Sequence, residues 1–144
     1  MGNSEMSERE KKVFQTGLFD NLTVQDAFTI IALCAAQADL EDLDKLIMTH
    51  ISKDALFDED YSHTLARINK FANSMAEVNP SNAIERAAKV LTPELRQKSF
   101  MLAAQIGKAT QEIRTTKILK NLASKLSIEK EIVDKTIYST LKEN

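Results

Sequence analysis

The stretch NPSNAIERAAKVLTPELRQKSFMLAAQI, residues 79–106, decides the fold class. In Asn79-Pro80 the proline disfavours helical backbone at the residue before it and fits the first turn of a helix after it, so one helix stops and another starts there. Ile84, Ala87, Ala88 and Leu91 then fall on one face at helical spacing. Thr92-Pro93-Glu94 repeats the device with a cap, a proline and a first-turn acid. The helix it opens places Leu95, Ser99, Leu102, Ala103 and Ile106 inward, and Gly107 is positioned to end it.

The same chemistry extends outward in both directions. Upstream, Ser7 and Glu10 have the spacing of a capping box, predicting a short helix to about Thr16, ended by Gly17 and adding little to the core. Thr23 and Asp26 start a stronger helix with Ala27, Ile31, Cys34, Ala35 and Ala38 on one face, and its small residues imply close helix contact. A third helix turns Leu43, Leu46, Ile47 and Ile51 inward. A fourth begins near Asp58 and carries Tyr61, Leu65, Ile68, Ala72 and Met75. Downstream, a helix from about Thr110 carries Ile113, Leu119, Leu122, Ala123 and Leu126. Ser127 is positioned to cap a last one with Ile132, Val133, Ile137 and Leu141.

Length and composition lead to the same class. The chain has 144 residues, 43% hydrophobic and 28% charged, with only 3 Gly and 2 Pro, too few turn formers for the many tight hairpins of a sandwich or barrel. A chain of this size buries roughly two thirds of its unfolded surface and needs no disulfide or structural metal to hold a core. The expectation is an all-α compact bundle of seven or eight helices without strands. A single helical domain would cover residues 7–144, behind a disordered 1–6. Short loops make sequential helices antiparallel or crossed neighbours. The one cysteine, Cys34, has no intramolecular partner, and the polar opening MGNSEMSEREKK has no signal-peptide core, so a cytoplasmic setting is expected. The longest uncharged stretch, 27–38, is short of the roughly 18–20 residues that span a bilayer, so no membrane insertion is expected. Met1-Gly2 opens like a myristoylation signal, but the sixth position holds Met6 instead of Ser or Thr.

A weak two-fold internal repeat is visible. ALCAAQADLEDLDKLIMTHISKDAL (32–56) and MLAAQIGKATQEIRTTKILKNLASKLSI (101–128) each place an Ala-Ala-Gln helix end before a polar loop and a second amphipathic helix. Two copies are too few for a solenoid, so a pseudo-symmetric bundle is expected. The motif pair Ala38-Asp39-Leu40-Glu41 and Ile106-Gly107-Lys108, the latter followed by Lys125-Leu126-Ser127-Ile128, resembles the TerB-like domains associated with tellurite resistance and with a membrane-anchored DnaJ-type co-chaperone. Asp39 and Glu41 match the family acids, with Leu40 where Gly is expected. Gly107 matches in the second copy, with Ile106 in the acid's place, and Asp44 and Glu112 stand at shifted spacings from the downstream glutamate. The resemblance covers most of the chain from about Thr23. It implies an all-helical fold and a role in a stress-response or membrane-proximal assembly.

Side chains that could carry chemistry are few. His50 and His63 are the only histidines, their spacing fits no zinc signature, and Cys34 reads as a small apolar core residue. No nucleophile elbow or phosphate loop is present in the sequence. No catalytic, cofactor-binding or metal-ligating residue is therefore assigned, and an enzyme is not expected. The acids Asp39, Glu41, Asp42 and Asp44 offer oxygen ligands to Ca²⁺ or Mg²⁺, but an EF-hand begun at Asp39 would have Asp44 at its glycine and His50 at its glutamate. Helix capping accounts for these acids, and a divalent-metal-responsive binding protein using 39–44 is the alternative.

Charge distribution says more than any motif. Residues 39–60 hold eight acids and two lysines, net −6, whereas 86–125 hold nine basic residues and two acids, net +7. Such a bipolar chain suits selection of a charged protein partner, or head-to-tail association into a homo-oligomer. Nucleic acid is not an expected partner: the overall charge is −2, and Phe100 is the one aromatic interleaved in the basic stretch. The expected function is a non-catalytic protein-interaction module, without cofactor, with Lys117 and Lys120 on the exposed face of its helix.

Overall fold

The computed structural model describes residues 7–35, 61–75, 77–110 and 115–142. Seven helices and no strand are found among them: α1 (Glu8–Gln15), α2 (Val24–Ala35), α3 (Tyr61–Met75), α4 (Pro80–Ala88), α5 (Pro93–Thr110), α6 (Thr115–Leu126) and α7 (Lys130–Lys142). The all-α bundle expected from the spacing of apolar residues is the observed architecture. Residues 1–6, the expected helix of Leu43, Leu46, Ile47 and Ile51, the start near Asp58, and Ile113 lie outside the described residues.

α2 is the axis of the bundle and packs against α3, α4, α5 and α6. Its start is a reciprocal capping box: Asp26 N–H donates to Thr23 Oγ1, and Thr23 N–H donates to Asp26 Oδ2, each at 3.0 Å. Asp26 Oδ1 also accepts from Arg67 Nε on α3 at 3.0 Å, in an ion pair largely withdrawn from water. The sequence suggested one buried face, but neighbours surround α2 and bury Ala27, Phe28, Thr29, Ile30, Ile31, Ala32, Leu33 and Ala35. Buried alanines lie on all three helices, Ala27, Ala32 and Ala35 on α2, Ala83, Ala87 and Ala88 on α4, Ala103 and Ala104 on α5, and α2 packs closely against both neighbours. The Thr29 hydroxyl, forced into this core, donates to Gln25 O at 2.8 Å, so no buried donor is left unmet there.

α4 has nine residues and is held at both ends from outside itself. Asn79 caps it by accepting from Ser81 N–H at 2.9 Å, with Pro80 in the first turn as expected. The Glu10 carboxylate of α1 then accepts from Asn79 N–H and from Asn82 Nδ2. At the other end, Arg96 of α5 donates twice to Ala88 O, at 3.2 and 2.9 Å. An anion at the N-terminus and a cation at the C-terminus both oppose the helix macrodipole.

The first helix does more than expected. Ser7 accepts from Glu10 N–H at 3.1 Å, but the Glu10 side chain is 4% exposed and committed to α4. Phe14 stacks edge-on to Phe19 (5.3 Å), Phe19 to Phe71 of α3 (5.7 Å), and the Arg86 guanidinium lies 4.7 Å above Phe14. Each aromatic pair adds about 0.5–1.5 kcal/mol beyond the area it buries. Gly17, at φ +79°, turns the chain after α1 as expected.

Two helix stops differ from the sequence expectation. Gly107 does not end α5, which continues to Thr110. A helical glycine costs only about 1 kcal/mol against alanine, too little to stop a helix by itself. Ser127 does not cap α7 but terminates α6, at φ +58°. Ile128 N–H reaches back to Ala123 O (3.0 Å) and Ser127 N–H to Ser124 O (3.2 Å), the two bonds of a Schellman stop with serine in glycine's place. α7 starts at Lys130, its first turn closed by Val133 N–H on Glu129 O at 3.0 Å.

One core cluster runs from Phe19 to Ile137 through α2 to α7, with Val13 and Phe14 of α1 packed against it. The two Ala-Ala-Gln helices of the internal repeat, α2 and α5, pack against each other. The second helix of the first repeat copy lies outside the described residues.

Candidate docking face and groove

The sequence TTKILKNLASKL of α6 alternates inward and outward positions at helical period. Leu119, Leu122, Ala123 and Leu126 are buried, and this fixes Lys117, Lys120, Asn121 and Ser124 on the solvent side. The Schellman stop ends α6 at Ser127, and α7 follows from Lys130 in contact with it. Between the two helices lies an open groove of about 340 Å³ lined by Lys120, Ala123, Ser124, Ile128, Lys130, Val133 and Asp134.

The basic stretch 86–125 divides into structural and solvent-facing charges. Arg86 covers Phe14 and pairs with Asp20 at 3.3 Å, while Arg96 holds the α4 carboxyl end. Lys125 binds Glu85 at 2.9 Å. That hydrogen bond, then the Lys125 charge, holds the Glu85 carboxyl below the usual carboxylate range against a smaller desolvation, with Lys89 adding its charge. Lys117 and Lys120 are exposed, as expected from their register on α6. The net +7 of the sequence therefore overstates the charge offered to a partner.

The other candidate residues are not assembled. His63 is exposed on α3, whereas His50 and the acids Asp39, Glu41, Asp42 and Asp44 lie outside the described residues. Cys34 packs half-buried against the core, and burial pushes its thiol up to about 12. Among the described residues no three His, Cys, Asp or Glu side chains converge on a position for a metal ion. No helix among them is long and apolar enough to cross a membrane.

The groove itself was missed in the sequence. Its signal is two i,i+4 pairs, Lys120 with Ser124 and Lys130 with Asp134, on consecutive helices joined by a tight stop. No protein-family model, curated protein or solved structure matches this chain.

Proposed function

We propose that the protein is a non-catalytic interaction module that docks an acidic protein partner on the exposed lysine face of α6. The observation that carries this is the division of labour among the cations: Arg86, Arg96 and Lys125 hold helices together, while Lys117 and Lys120 face solvent, Lys120 lining a groove. Exposed charges of one sign act on diffusional encounter and partner choice more than on fold stability. The TerB-like resemblance of the sequence suggests a stress-response or membrane-proximal assembly as the setting of such a module.

The test is capture from native lysate at low and high salt with the wild-type chain and with the double variant Lys117→Glu/Lys120→Glu. Acidic proteins should be recovered at low salt by the wild type and lost with the variant, whose melting curve should be unchanged. Recovery of the same partners by both chains, or of none, overturns the proposal.

A further inference from the structure

We infer that the α6–α7 groove is the specificity pocket of this docking face, and that it accepts an apolar side chain of a partner protein flanked by carboxylates. The inference rests on the charged-docking function proposed above and adds the chemistry of the bound segment. Ala123, Ile128 and Val133 supply apolar lining, and each helix contributes one ammonium group, Lys120 from α6 and Lys130 from α7. A segment entering between the helices buries its apolar side chain on that lining, with its carboxylates beside the two lysines.

The volume of about 340 Å³ lies at the small end of the roughly 300–1,000 Å³ of ligand-holding clefts, which suits a side chain and its flanking backbone. The lining is also pre-formed. The bond from Ile128 N–H to Ala123 O holds the backbone at the end of α6 and the Ile128 side chain packs against the core, so binding spends little on ordering it. Asp134, one turn beyond Lys130, repels a carboxylate at its end of the groove and gives the segment a direction. Nucleic acid fits less well, because no aromatic ring lines the groove for base stacking and Asp134 opposes phosphate.

The experiment is selection of a random-peptide phage library on the folded full chain, with two variants in parallel. Ser124→Trp fills the groove from an exposed position and leaves the lysines in place. Lys120→Glu/Lys130→Glu leaves the groove open and reverses its charge. Wild type should enrich peptides with a bulky apolar residue next to Asp or Glu, and Ser124→Trp should capture them at least about tenfold less. The charge-reversed chain should enrich the apolar residue with Lys or Arg beside it, a switch that damage to the fold does not produce. Equal capture by Ser124→Trp, no shared motif on wild type, an unchanged motif on the reversed chain, or preference for a single-stranded oligonucleotide overturns the inference. If lysate partners are lost with Lys117→Glu/Lys120→Glu but retained by Ser124→Trp, the groove assignment falls and the docking face stands.

Discussion

At the scale of single residues, three positions hold conformations or environments that their side chains would not choose alone. Ser127 occupies left-handed backbone at φ +58°, which costs a residue with a Cβ about 1–2 kcal/mol. Ser127→Gly should therefore raise the melting temperature by a few degrees, with the gain reduced by glycine's larger unfolded-state entropy, and Ser127→Val should lower it. Calorimetry on the pair checks this. Glu10 is buried and accepts from Asn79 N–H and Asn82 Nδ2, so Glu10→Ala should cost about 1–3 kcal/mol in urea unfolding. Cys34 is held as the neutral thiol in the folded chain. Its thiol pKa is raised from 9.0 to about 12, so the folded state keeps a proton that the unfolded state releases. Its contribution to stability is full below about pH 9 and is lost as pH rises toward 12. A disulfide reagent at about pH 8 should label folded Cys34 far more slowly than the thiol of the urea-unfolded chain, and equal rates in the two states would contradict this. Glu85 acts in the opposite direction, its lowered pKa giving a contribution that is present at neutral pH and lost on acidification.

At the scale of elements, the helix starts depend on local chemistry and the stops on distant packing. Asp26 closes the α2 cap and pairs with Arg67, so Asp26→Ala should destabilise by about 2–3 kcal/mol, against about 1 for Thr23→Ala. A double-mutant cycle between Asp26 and Arg67 separates the ion-pair share from the cap share. The Thr23 to Asp26 box, Asn79-Pro80 and Thr92-Pro93 were all legible in the sequence, because a cap or a proline acts on backbone within a few residues. Gly107 and Ser127 were not. A single glycine costs a helix only about 1 kcal/mol and does not by itself mark a stop, while Ser127 ends α6 where Ile128 packs against the core. The use of Glu10 was equally hidden, since its target lies 69 residues away and its spacing to Ser7 already explained it. For the docking face, the exposure of Lys117 and Lys120 followed from the apolar register of α6. The groove did not, because it exists only where two helices meet after a tight stop.

At the scale of the whole molecule, charge of opposite sign gathers in different parts of one sequence, and the fold uses part of the positive share internally. The acids of 39–44 lack the glycine and glutamate positions of a calcium loop, so Ca²⁺ or Mg²⁺ should bind weakly and without selectivity. Sub-micromolar affinity by calorimetry, abolished by Asp39→Asn, would show the opposite. In the proposed function, partner capture runs through the exposed lysines of α6. Its most direct measurement is the association rate of a captured acidic partner, followed by surface plasmon resonance from about 0.05 to 0.5 M salt on wild type and on Lys117→Glu/Lys120→Glu. Over that range the Debye length falls from roughly 14 to 4 Å, so steering by exposed lysines weakens steeply. The wild-type on-rate should fall steeply with salt, the reversed chain should depend on it much less, and the dissociation rates should differ little. An on-rate indifferent to salt, or the same slope for both chains, contradicts it.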